Sequence, residues 1–243
     1  MVAAMAPVYG WRSVFVVCGA LGFVWIPVWW ATATRLPAKP LETATARGGI
    51  ANILRDRRIW GLAAANALVM TLYTLWTNWT TVYFVEQHHL TEVQANQHFA
   101  WIPPVFATLG GFAGGWMAFR SIRSGADAVE ARLRICWLAA ALLLLTAAVP
   151  LMPTPALAAA LISFSFFWCL AISTNLYAMP IDFFGAGHAA FGVSILTASY
   201  GLMQTVLSPL IGAMVDHFGF SMVCVALSVM PLAGIGILRA STR

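Results

Sequence analysis

Charge is what this sequence has least of. Its 243 residues hold thirteen basic and eight acidic side chains, 9% in all, where a soluble domain carries about a quarter. No polar stretch is long enough to fold as a separate soluble domain. Cysteine is sparse too: Cys18, Cys136, Cys169 and Cys224 stand singly in apolar runs. That pattern excludes a disulfide framework and a cysteine-based zinc site. The one lysine, Lys39, lies in a polar segment, which excludes a retinal Schiff base within a helix.

The charges that exist avoid the long apolar runs, and 61% of the chain is hydrophobic. A run of about 20 residues without charge is long enough to cross a bilayer as a helix. The sequence predicts an all-α polytopic membrane protein with about seven transmembrane helices. They are Ser13–Thr34, Trp60–Val85, Phe99–Phe119, Ile135–Leu151, Ala156–Ile181, Ala189–Val215 and Phe220–Leu238. The first is too long and too rich in tryptophan for a signal peptide. Ionisable groups at membrane depth mark proton and ion pathways, and none lies well inside a span. Neither an acid/base pair nor a nucleophile with its base is present there, so an enzyme is not expected. His88, His89 and His98 share one loop with no cysteine or carboxylate cluster to complete a metal set.

Twelve of the thirteen basic residues fall in alternate loops. They are Arg35, Lys39, Arg47, Arg55, Arg57 and Arg58, then Arg120, Arg123, Arg132 and Arg134, then Arg239 and Arg243; Arg12 is the exception. Positive loops face the cytoplasm, which puts the chain start outside and its end inside. The net charge of +5 then has a topological cause, and no nucleic-acid partner is needed.

The second span is the most polar. It contains Asn66, Tyr73, Trp76, Thr77, Asn78, Trp79, Thr80, Thr81 and Tyr83. Amides and hydroxyls in hydrocarbon cost several kcal/mol each unless something satisfies them, roughly 2–7 on transfer scales. They either bond neighbouring helices or face a water-filled path. Asn66, Tyr73 and Thr77 share one helical face, with Trp76 and Thr80 beside it. Later spans add Ser173, Asn175 and Tyr177, then Ser199, Tyr200 and Gln204. A glutamine amide suits a hydroxylated carboxylate, and rings beside it suit the apolar face of a sugar. Tyr73, Trp76, Asn78, Tyr200 and Gln204 are the candidate solute-binding residues. Gly110, Gly111, Gly114 and Gly115 form overlapping G-x-x-x-G pairs that suit close helix packing.

Several motifs occur in a fixed order. Gly10-Trp11-Arg12 precedes the first span, and Leu54-Arg55-Asp56-Arg57-Arg58-Ile59-Trp60 opens the second. Ala100-Trp101-Ile102-Pro103-Pro104 begins the third, which ends in Gly114-Gly115-Trp116, and Ala131-Arg132 closes the next loop. Ser173-Thr174-Asn175-Leu176 and Asp182-Phe183-Phe184 close the fifth. Gly212 through Asp216, with Gly219, marks the turn into the last. In this order they resemble the C-terminal part of a major facilitator superfamily transporter. The resemblance is strongest to the anion:cation symporter group of hexuronate and other organic-acid carriers. One departure is clear: where the superfamily's loop signature has an acid, this chain has Phe119, followed by Arg120.

The resemblance implies three regions: residues 1–34 as the last helix of an otherwise missing N-terminal half, 35–58 as a cytoplasmic linker, and 59–243 as a six-helix C-terminal half. It also implies a solute site between two halves near the midplane, and adds Asn175 to the candidate solute-binding residues. The expected function is part of a secondary transporter moving a sugar acid or similar small organic anion across the inner membrane by alternating access. A coupling proton or cation would be held by the missing half, and no cofactor is expected. The alternative is a truncated fragment without transport activity of its own.

Overall fold

The structure, a computed structural model, describes residues 2–35, 50–99 and 101–242. Lys39, Arg47 and most of the linker, with Ala100 and Arg243, lie outside the described residues. The chain separates into two compact units, Met1–Ala44 and Thr45–Arg243. No strand occurs among the described residues.

The first unit holds one helix, α1 (Val2–Ala33), with non-helical angles at Gly10. Its bulky apolar side chains, among them Trp11, Phe15, Phe23, Trp25 and Trp30, are exposed. Such a surface is compatible with lipid or with another protein, and not with water.

The second unit contains α2 (Ile50–Arg55), α3 (Arg57–His88), α4 (Glu92–His98), α5 (Ile102–Arg123) and α6 (Ala128–Leu143). A 3₁₀ segment (Leu144–Leu151), α7 (Pro155–Phe184) and α8 (Ala186–Thr242) follow. Polar side chains set the helix starts. Asp56, Asp127 and Thr154 each accept a backbone N–H of the first turn, and Thr91 with Gln94 forms a reciprocal capping box on α4. These caps place the helix ends a few residues beyond the apolar runs read from sequence. The loop between the second and third spans thereby gains α4.

Among the described residues six helices, counting α6 with its 3₁₀ extension and α4 with α5, are long and apolar enough to cross a membrane. The last, α8, has 57 residues and would be about 86 Å long if continuous, against a hydrocarbon core of about 30 Å. Gly219, at φ 71° and ψ 173°, breaks it into limbs of residues 186–218 and 220–242. That backbone region is essentially open to glycine alone. With this break, α8 supplies the last two of the seven expected spans.

Helix α3 is the axis of the unit. It packs along both limbs of α8 and against α7, while α5 lies along α7 and α6 backs onto α7 and α8. Leu62, Val69, Leu72, Leu75, Tyr83 and Phe84 of α3 are fully buried. The α5–α7 contact depends on glycine. A Cβ at Gly110 would collide with the Phe167 carbonyl, and one at Gly114 would lie 2.6 Å from the Ala171 Cα. Close approach of this kind is how helices associate where hydrophobicity gives no preference.

Ion pairs gather the arginine-bearing helix ends. Arg58 forks onto Asp56, with Nη2 to Oδ2 at 2.7 Å, and its guanidinium lies 5.2 Å over the Phe183 ring. Arg132 pairs with Asp182 at 2.7 Å, and Glu130 holds both Arg134 and Arg239. The starts of α3 and α6 and the ends of α7 and α8 therefore share one end of the unit.

Candidate functional site

Three helices bring aromatic residues together midway along their length. The Tyr73 ring of α3 stands edge-on to Phe166 of α7 at 5.3 Å and to Tyr200 of α8 at 6.3 Å. Tyr177 lies further along α7. The three tyrosines are half-buried. The hydroxyls of Tyr73 and Tyr177 make no hydrogen bond to the described residues. Half-buried phenols with free donors are suited to a solute's hydroxyls.

A cavity of about 130 Å³ opens beside this cluster, lined by Tyr73, Trp76, Thr77, Thr80, Thr81, Pro103, Pro104 and Phe166. It spans α3, α5 and α7. Thr80 uses its hydroxyl on the Trp76 carbonyl, and Thr81 donates to Asn96 Oδ1 at 2.8 Å. The Trp76 indole N–H is buried and has no partner among the described residues. An unpaired buried donor costs about 1–3 kcal/mol. The cavity is well below the 300–1,000 Å³ typical of a small-molecule pocket, roughly a third or less. It has the size of part of a site.

The other sequence candidates have separate surroundings. Asn78 is exposed, with its Nδ2 3.5 Å from Ser208 Oγ on α8. Gln204, one turn beyond Tyr200, is half-buried and makes no hydrogen bond to the described residues. Asn175 is fully buried and does not open onto the cavity. Its Nδ2 donates to the carbonyls of Gly114 at 3.2 Å and Ala171 at 2.8 Å, and its Oδ1 accepts from Arg132 Nη1 at 3.4 Å. In this conformation Asn175 ties α5, α6 and α7 together. Asn66 is likewise buried and donates to the Leu196 carbonyl at 2.8 Å.

Sequence reasoning passed over Phe166, Pro103 and Pro104 as lining residues. Phe166 carries no polar atom, and the two prolines read equally well as a helix start. Arg132 and Asp182 were visible as opposite charges on loops of the same side, the one signal that they could meet. No group of three or more metal-ligating side chains is found among the described residues.

Residues 1–193 match the family model described as Major Facilitator Superfamily. The chain belongs to the major facilitator superfamily. It is 25% identical over 247 aligned positions to the hexuronate transporter of Escherichia coli strain K12, covering 93% of this chain and 56% of that protein. It is 27% identical over 129 positions to the galacturonate transporter of Dickeya chrysanthemi, covering 45% of this chain and 36% of that one. This chain thus spans about half the length of the curated relatives it matches. The faces of α3, α7 and the first limb of α8 converge at Tyr73, Phe166 and Tyr200.

Proposed function

We propose that this facilitator chain supplies one wall of a secondary carrier for a sugar acid or similar small organic anion. The carrier would work by alternating access in the inner membrane. The reading rests chiefly on one observation: aromatic rings from three helices, Tyr73, Phe166 and Tyr200, meet beside a small cavity lined by Tyr73, Trp76 and threonines of α3. The hexuronate and galacturonate specificities of the named relatives agree with it. Tyr73, Trp76, Tyr200 and Gln204 would donate to solute hydroxyls, and the rings of Tyr73 and Phe166 would flank the sugar's apolar face.

The wall contains no cation, so the solute carboxylate would be met by groups outside it. A coupling proton or cation would be held elsewhere for the same reason. The arginine-rich end would face the cytoplasm. No covalent step is required.

Uptake of radiolabelled galacturonate by cells producing the protein tests the reading. Loss of one neutral hydrogen bond is worth about 0.5–1.5 kcal/mol, so Tyr73→Phe, Tyr200→Phe and Gln204→Ala should each raise KM roughly 2- to 13-fold at that magnitude. Unchanged KM in all three would overturn it. A second reading, favoured by the 56% coverage, is a fragment without transport of its own. Galacturonate binding to the purified chain without uptake would identify it.

A further inference from the structure

The part of α8 that carries Tyr200 and Gln204 is lightly packed. Between Leu196 and Ile211 no residue of this limb is buried. A Cβ at Gly201 would meet nothing within 4 Å, and Pro209 has no backbone N–H to give its helix. Apolar contact, which has no direction of its own, does little to fix where the Tyr200 ring stands.

One turn before Tyr200 the limb is tied to α3. Asn66, fully buried, donates from Nδ2 to the Leu196 carbonyl at 2.8 Å, and Ser199 Oγ lies 3.5 Å from the same nitrogen. In an α-helix a carbonyl accepts the N–H four residues on, so the Leu196 carbonyl belongs to the turn that carries Tyr200. Asn66 and Tyr73 are seven residues apart on one face of α3. The same two helices therefore meet twice, through Asn66 and Leu196 and then through the rings of Tyr73 and Tyr200 at 6.3 Å. Of the two contacts the hydrogen bond is the one with strict distance and direction.

Stability alone does not account for this amide. Its Oδ1 is buried with no partner among the described residues, a penalty comparable with what the Nδ2 bond returns. The Leu196 carbonyl also accepts from Ser199 Oγ at 2.7 Å, so it stays satisfied without Asn66. We propose that Asn66 is a positioning residue, whose bond to the Leu196 carbonyl sets the height of Tyr200 against Tyr73. The consequence for solute binding rests on the carrier reading; the placement of the ring rests on the α3–α8 contact alone.

Fluorine resonances of the purified chain labelled with 3-fluorotyrosine test the placement. The chain has five tyrosines, and Tyr73→Phe, Tyr83→Phe and Tyr200→Phe assign three of the lines. Asn66→Ala and Asn66→Leu both remove the donor, one with a smaller side chain and one with a larger. Each should move the Tyr200 line in the same direction, and the Tyr73 line with it. The Tyr83 line should stay, because that hydroxyl is held by the Val149 carbonyl at 2.9 Å near the other end of α3. If one variant does not fold, the other carries the test with the Tyr83 line as its reference. An unmoved Tyr200 line would overturn the proposal. So would shifts of opposite sign, or a shift of all three lines, since those follow from packing rather than from the lost bond. Galacturonate binding supplies a functional arm. Loss of one hydrogen bond weakens binding roughly 2- to 13-fold, and either variant should do so. Added to Tyr200→Phe, through which it acts, it should cost less than about 2-fold more; losses that multiply in full would overturn the proposal. No galacturonate binding by the unaltered protein would refute the carrier reading, and the fluorine lines would still decide what places Tyr200.

Discussion

Arg132 Nε donates to Asp182 Oδ2 at 2.7 Å across 50 positions of sequence. The two side chains are 15% and 16% exposed. The pair joins the start of α6 to the end of α7, and through Asn175 it reaches the Gly114 carbonyl on α5. An exposed pair is worth up to about 1 kcal/mol, and removing one partner of a buried pair costs about 3–5. This pair lies between those limits.

Arg132→Gln and Asp182→Asn should therefore each lower stability by about 2 kcal/mol. The double variant should lose less than the sum, with a coupling of about 1 kcal/mol. A double-mutant cycle on unfolding in detergent measures this. Strict additivity would show that the two side chains do not stabilise each other.

Adjacent glycines of α5 should respond with opposite signs. Gly114→Ala puts a Cβ 2.6 Å from the Ala171 backbone, which cannot rotate away, and should cost about 1–3 kcal/mol. Gly115→Ala meets only Thr174 Cγ2 at 3.6 Å, an ordinary contact. It should gain up to about 1 kcal/mol from helix propensity. Thermal midpoints of the two variants compare them directly; equal shifts would contradict the α5–α7 packing described here.

The start of α3 should be sensitive to acid. The Arg58 guanidinium hydrogen-bonded to Asp56 lowers that carboxyl's pKa below the usual value of 3.8, against the opposing effect of partial burial. A carboxyl lowered on folding stabilises the fold above its unfolded pKa, and the stabilisation is lost as pH falls through the folded pKa. Asparagine caps a helix as well as aspartate, so Asp56→Asn removes only the charge. It should cost about 0.5–1 kcal/mol at pH 7, and the difference from the unaltered protein should disappear below about pH 3. A difference that persisted in acid would mean that the cap geometry, rather than the charge, is responsible.

The ends of the second unit should be labelled from opposite sides of the membrane. Ser124 follows α5 at the arginine-rich end, and Glu92 opens α4 at the other. With the exposed Cys18 replaced by serine, Ser124→Cys should react with an impermeant maleimide only in inside-out vesicles, and Glu92→Cys only in right-side-out ones. The reverse pattern would overturn the cytoplasmic assignment of the arginines.

The residues differ in how far their roles could be read without coordinates. Tyr73 and Tyr200 stand out in sequence because phenols are conspicuous in apolar spans, and they do meet. Asn175 stands out for the same reason, yet its amide is saturated by Gly114, Ala171 and Arg132. A buried amide needs partners, but composition cannot say whether a solute or a neighbouring helix provides them. The small-residue pattern of Gly110 and Gly114 predicted a close helix contact without naming α7 as the partner.

Sequence by itself determined that this is a helical membrane protein with its arginines on alternate loops, because the exclusion of charge from hydrocarbon acts on each span separately. Tertiary structure alone decided which polar groups remain open and which are satisfied internally. It set Trp76 unpaired at a cavity and Asn175 locked between helices. Hydrogen bonds and ion pairs between spans form across 50 or more positions, and the pairing of helices that creates them is not encoded in the hydropathy of any one span.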